Sequence, residues 1–254
     1  MVYLAKDSDF KNEYEEWIYI GSEKEVEIPE YIDGKLVTST ANMFNSLANA
    51  TIVNKVVLKH NNVTDMNGMF MCYSSSQPLD LSTFDTSKVT DMSGMFNGYS
   101  SSQPLDLANL NTTNVTNMSG MFEGYSSSQP LDLSTFDTSK VTNMSSMFNG
   151  CSSLTSLDLS NLDLSSSNAK NVSVANMLDG CISLKEVYAR TKEDAERLKA
   201  QATGDGISPK FYIVEREYFK IALGNNKIES VCFKDKNGKL NELKIYRENI
   251  TELQ

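Results

Sequence analysis

A Met-Phe dipeptide recurs at Met43-Phe44, Met69-Phe70, Met95-Phe96, Met121-Phe122 and Met147-Phe148, each copy 26 residues after the one before. A sixth copy, Met177-Leu178, follows after 30 residues, and the four extra residues fall in the stretch from Leu164 to Lys170. Fixed self-similarity at this period predicts a solenoid: one unit of this size cannot enclose its own apolar face, so stacked neighbours must complete a shared core. With 40% hydrophobic residues in 254, the chain has the material for one.

The unit PLDLSTFDTSKVTDMSGMFNGYSSSQ, residues 78–103, shows its grammar in residue chemistry. Leu79 and Leu81 flank Asp80, which predicts a short strand with both leucines inward and the acid outward. Phe84 and Val89 require inward positions in an otherwise polar loop. Met92, Met95 and Phe96 stand at i, i+3 and i+4, one face of a two-turn helix with Thr90 or Asp91 as N-cap and Gly98 just past its end. The expected fold class is therefore an α/β repeat: a leucine-rich-repeat-like solenoid with short parallel strands on one side, short helices on the other, and β-rich caps at both ends. Its repeat core is Met69, Phe70, Met95, Phe96, Met121, Phe122, Met147, Phe148 and Met177.

Two positions in the unit trade size. Cys151 is followed by Leu154 and Cys181 by Leu184, where earlier units carry Tyr73 with Ser76, Tyr99 with Ser102 and Tyr125 with Ser128. Such an exchange implies that the two positions share one pocket. The four cysteines, Cys72, Cys151, Cys181 and Cys232, form no CxxC pair. They read as small buried hydrophobes, with a disulfide between stacked neighbours as the alternative.

A solenoid exposes apolar edges at its ends and needs caps. Residues 1–37, with Trp17, Ile18, Ile20, Val26 and Ile28, read as an N-terminal β cap ahead of the six repeats of residues 38–190. Residues 191–214 read as a C-terminal cap, with a charged helix over Lys192 to Gln201, a loop at Gly204-Asp205-Gly206 and a closing strand over Lys210 to Val214. Alternating apolar residues and the turns Gly224-Asn225 and Asn237-Gly238 make residues 215–254 a small antiparallel β module, a candidate attachment surface.

The formal net charge is −10, and between residues 61 and 189 twelve acids face four lysines, a net of −8. Nucleic acids and anionic membranes reward basic patches, so neither is an expected partner, and no run approaches transmembrane length, so membrane insertion is not expected. One acid per repeat, Asp80, Asp106, Asp132 and Asp158, is predicted on the exposed sheet, extended by Ser82, Ser134 and Ser160, with Ala108 as the exception. Strands about 4.8 Å apart would make these carboxylates a mutually repelling ladder. Relief by neighbouring hydroxyls and amides leaves a solvated face. Relief by Ca²⁺ or by a partner's Lys/Arg makes a binding strip. A second row, Asp85, Asn111, Asp137 and Asp163, suits Asx-type bonds to loop backbone.

For catalysis the sequence offers little. It holds no Gly-rich phosphate loop, metal-spaced Cys/His set or nucleophile elbow, and its single histidine, His60, has no patterned partner. No catalytic, cofactor-binding or metal residue is assigned, and an enzyme is not expected.

The strings LDLSTFDTSKVTDMSGMFNG and LDLSTFDTSKVTNMSSMFNGCSSLTSLDLSNLDL closely resemble the 26-residue bacterial surface protein repeat, the BspA-like leucine-rich repeat, over about residues 38–190. The stretch WIYIGSEKEVEIPEYIDGKLVTS is similar to the β lead-in common in such proteins. The resemblance implies extracytoplasmic display and binding to a protein or surface glycan of a host or neighbouring cell, and it brings no catalytic residues. The start, MVYLAKDSDF, departs from the family in showing neither a secretion signal nor a lipid-attachment cysteine. The run YFKIALGNNKIESVCFKDKNGKLNELKIYRENI resembles the strand-turn modules that end tail proteins of phages infecting Gram-positive bacteria, and a virion protein is released by lysis without a signal. The expectation is thus an adhesion or receptor-binding component of a phage virion, as tail or fibre among other virion proteins, or of a bacterial cell surface, with oligomerisation open. Its rival is a purely structural spacer or decoration protein whose C-terminal module makes the contact.

Overall fold

The computed structural model describes residues 2–46, 52–127, 129–164, 172–204 and 207–214, and the backbone of residues 231–234 and 240–243. The chain divides into two compact units, Met1–Ile213 and Val214–Gln254. The first is a right-through stack of coils, each adding one layer to a single core, and it establishes the solenoid that the 26-residue period predicts.

The core is organised in columns, because equivalent residues of successive coils point to the same place. Phe44, Phe70, Phe96, Phe122 and Phe148 stack with ring centroids 5.7, 5.8, 5.8 and 5.7 Å apart and planes within 9° of parallel. Beside them Tyr73, Tyr99 and Tyr125 stack at 5.3 and 5.6 Å, edge-on to the phenylalanines. Met69, Met95, Met121, Met147 and Met177 are fully buried in a further column. Leu79, Leu81, Phe84 and Val89 all point inward as their spacing requires.

Among the described residues of the repeats the expected helices are absent, and the reason is local. In the third Met-Phe coil, Met95, Asn97 and Tyr99 donate their N–H groups to Met92, Gly94 and Phe96, three residues back, which makes a chain of β-turns. The alternate N–H groups, of Met92, Gly94, Phe96 and Gly98, donate to Asn117, Ser119, Met121 and Glu123 of the next coil. A helix would need those donors within its own turns. The switch is set by left-handed residues at two positions of the coils from the second Met-Phe copy onward, and at Asn42 in the first: Gly94 has φ of 61° and Gly98 of 68°, and where glycine is missing Asn42, Cys72, Ser146 and Asn176 take the same conformation. Met-Phe spacing is thus core spacing, as expected, carried by turns in place of a helix.

The parallel sheet also lies elsewhere than predicted. A continuous parallel ladder runs through Ser39, Asp65, Asp91, Asn117, Asn143 and Ser173, one bridged residue per coil. Along the Leu-Asp-Leu segment, pairing occurs only toward the ends. Lys55 bridges Asp80, and strand β8 (Ser156–Asp158) pairs with β9 (Glu186–Ala189), itself paired with β10 (Lys210–Ile213), all in parallel. Pro78, Pro104 and Pro130 hold the position that Ser156 and Glu186 take in the paired coils. A proline there has no N–H to give to a ladder. In the proline coils a buried threonine supplies the link: Thr112 Oγ1 accepts from Asp137 N at 2.7 Å and donates to Asp137 O at 3.0 Å, and Thr86 treats Asn111 the same way.

Secondary structure outside the coils lies at the two ends of the first unit. At the N-terminus β4 (Glu25–Glu27) lies parallel between β1 (Tyr3–Leu4) and β7 (Lys55–Val57), flanked by the hairpins β2–β3 (Phe10–Glu13, Glu16–Tyr19) and β5–β6 (Tyr31–Ile32, Lys35–Leu36). Ile18, Val26 and Ile28 are buried, whereas Ile20 is half exposed. At the other end helix α1 (Lys192–Lys199) starts at Thr191, whose hydroxyl accepts from Asp194 N, and its Leu198 closes the core. Arg197 donates to the carbonyls of Leu164 and Val172 and so holds both ends of the four-residue insertion. In the second unit β11 (Val231–Lys234) pairs antiparallel with β12 (Leu240–Leu243). Ser128, residues 165–171 around the insertion, Asp205 and Gly206, the turns at Gly224-Asn225 and Asn237-Gly238, and the Cys232 side chain lie outside the described residues.

Candidate binding surface

The repeats place one outward residue per coil in line. Asp106, Asp132 and Asp158 are exposed and Asp80 half-buried. Each carboxylate is anchored by a short Asx bond two residues on: Ser82, Ala108, Ser134 and Ser160 donate their N–H groups to the four Oδ1 atoms at 2.9, 3.0, 2.9 and 3.0 Å. Ser82 and Ser134 extend the face, but Ser160 is only 2% exposed and does not, a correction to its predicted place.

Two of the four carboxyls are held low by partners of their own. The Lys55 ammonium, followed by the Ser82 hydroxyl and amide, holds the Asp80 carboxyl down at about 2, and the Ser134 hydroxyl and amide lower Asp132. Among the described residues no three Asp, Glu, His or Cys side chains converge as a metal site would need. The row is therefore a line of separately anchored charges with no multidentate Ca²⁺ cage.

The second row behaves as predicted at three positions. Asp85, Asn111 and Asp137 accept from the N–H groups of Ser87, Thr113 and Ser139 at 3.0, 3.1 and 2.8 Å. Asp163 accepts from Arg190 at 2.7 Å. His60 is half-buried, and burial lowers its imidazole pKa.

The structure adds two residues that residue patterns alone had missed. Register continues the outward row from Asp158 to Tyr188 and from Tyr188 to Tyr212. The two rings stack with centroids 5.2 Å apart, Tyr212 is 39% exposed, and the Tyr188 hydroxyl donates to Glu186 Oε2 at 3.0 Å. Alternation in EVYA and KFYI, with Val187 and Phe211 inward, was the available signal. On the opposite side a shallow groove of about 340 Å³ runs between Asn67, Ser93, Asn97, Ser119, Glu123 and Ser145. Its one carboxylate, Glu123, accepts from Asn97 at 3.1 Å.

A family model described as "Mycoplasma protein of unknown function, DUF285" matches residues 22–101 and again residues 64–190. The chain belongs to that family. The DUF285 matches cover the coils on which the BspA-like resemblance rests and agree with it. No curated protein and no solved structure matches the chain. Among the described residues no helix is long and apolar enough to cross a membrane.

Proposed function

We propose that this DUF285 chain is a non-enzymatic binding protein that presents the outward row of its solenoid to a partner. The observation that carries the reading is the regular row Asp80, Asp106, Asp132 and Asp158 running in register into the Tyr188–Tyr212 stack. Anchored carboxylates favour a basic partner surface, and a partly exposed aromatic pair offers the rigid contact area on which interfaces concentrate their energy. The partner is a protein or surface glycan of a host or neighbouring cell, met from a bacterial surface or from a phage virion.

Binding of the labelled full-length chain to intact host cells tests this. A variant combining Asp80→Asn, Asp106→Asn, Asp132→Asn, Asp158→Asn, Tyr188→Ala and Tyr212→Ala is expected to bind at least about ten-fold more weakly, since each lost contact of this kind contributes on the order of 1 kcal/mol. Equal binding by the folded variant removes the row as the surface.

A second reading draws on the compact unit Val214–Gln254 and its hairpin β11–β12. In it the coils are a spacer or decoration and the C-terminal module attaches by strand addition. Truncation after Ile213 abolishes attachment under this reading and leaves it intact under the first.

A further inference from the structure

Cys151 and Cys181 occupy, in the last two Met-bearing coils, the column that Tyr73, Tyr99 and Tyr125 fill in the earlier ones. Both thiols are fully buried and donate to equivalent carbonyls, of Phe122 and Phe148, each at 3.0 Å. Their volume is not what fills the pocket: Leu154 and Leu184, 2% and 4% exposed, take that space, whereas Ser76 and Ser102 of the tyrosine coils are exposed. What the pair does share is proximity. They sit in adjacent layers of one column, in which neighbouring tyrosine rings lie 5.3 and 5.6 Å apart centre to centre, and the two thiols are in contact with each other. The coils also draw closest at this junction. A Cβ built on Gly180 would lie 3.3 Å from Gly150 Cα, against 3.8 Å at the two preceding junctions. These glycines immediately precede the two cysteines.

We propose that Cys151 and Cys181 are a disulfide site that cross-links two successive coils when the chain folds in the presence of a small-molecule disulfide. One thiol loses its proton and attacks the reagent's sulfur–sulfur bond, forming a mixed disulfide and releasing one small thiolate. The second cysteine, as thiolate, attacks the protein sulfur of that mixed disulfide and releases the other. Two S–H bonds become one S–S bond, and the two electrons and two protons leave as two small thiols. Exchange precedes closure of the coils. Afterwards the bond is shielded, so that reductant opens it at least ten-fold more slowly in the folded protein than in urea.

Refolding the full-length chain from denaturant with oxidised and reduced glutathione, followed by non-reducing peptide mapping, tests the site. The expected product is an intrachain peptide pair joining Cys151 to Cys181, two fewer thiols titrating in denaturant, and a Tm raised by about 5–10 °C. Cys181→Ala refolded identically gains no stability from glutathione. Cysteines 151 and 181 recovered free, capped by glutathione, or linked instead to Cys72 or Cys232 would overturn it.

Discussion

The two sides of one repeat are held together differently. On the Met-Phe side of a junction, Thr116 N donates to Thr90 O, and the N–H groups of Met92, Gly94, Phe96 and Gly98 donate to the following coil, all at 2.7–3.0 Å. On the Leu-Asp-Leu side of the proline coils, side chains carry much of the crossing, through the Thr86 and Thr112 hydroxyls, Ser101, which donates to Ser75 O, and Asn114, which donates to Ser87 O at 2.7 Å, beside single backbone bonds from Ser100 and Ser126 to the carbonyls of Tyr73 and Tyr99. A backbone ladder holds whatever its side chains are, whereas hydroxyl links hold only with the right residue in place. The side that gives up its regular ladder to proline is the side carrying the acid row, with each acid anchored by its own Asx bond.

The largest test of this contrast lies in the core of the ladder side. Phe96→Ala empties one place in the ring column and is expected to cost roughly 3–5 kcal/mol in urea unfolding; a loss under about 1 kcal/mol would mean the column does not bear the stack. Leu154→Ser leaves a cavity beside Cys151 and is expected to cost roughly 2–4 kcal/mol. A variant melting like its parent refutes the shared pocket.

On the other side, Thr112→Val keeps the shape but strands the Asp137 amide. It is expected to destabilise by about 1–3 kcal/mol, while the exposed neighbour change Thr113→Val stays within about 0.5 kcal/mol. Similar losses for both would deny the hydroxyl its linking part. Backbone conformation gives a smaller and signed effect. Gly94→Ala meets only ordinary contacts, the nearest 3.7 Å from Met71, so its loss of about 1 kcal/mol comes from the left-handed φ, and Ser146→Gly is expected to gain a similar amount. Thermal melts showing both changes to be neutral would break the explanation for the missing helix.

The smallest effect is pH-dependent. Asp80 titrates at about 2 when folded, below its unfolded value, so its stabilising contribution is complete above about pH 4 and is lost as pH falls through 2. Wild type should exceed Asp80→Asn slightly in stability at pH 5, and the gap should shrink steadily toward pH 2. A gap that widens on acidification has the wrong sign for the Lys55 contact.

Much of this was legible in residue order. The period forecast stacked coils, Leu79, Leu81 and Met92 pointed to the core, and Asp85, Asn111 and Asp137 to Asx turns. Helix and ladder were misread because spacing at i, i+3 and i+4 records which residues face inward, and three-residue turns satisfy it as well as a helix does. The clues were present but ambiguous: Gly94 inside the supposed helix, and a proline at the head of three of the supposed strands. Tyr188 and Tyr212 escaped notice because their place in the outward row depends on register across 30-residue and cap-sized gaps.

By itself the sequence determined that this chain stacks, since a repeat of identical apolar positions has no other way to bury them. Only the tertiary structure decided where the hydrogen bonds go. A backbone N–H carries no side-chain signature, and whether it turns inward along its own coil or outward to the next depends on φ at a neighbouring residue and on how closely the next coil approaches. The same holds for the surface: the acids are written in the chain, but their separation and their continuation into a tyrosine pair exist only once the coils are in register.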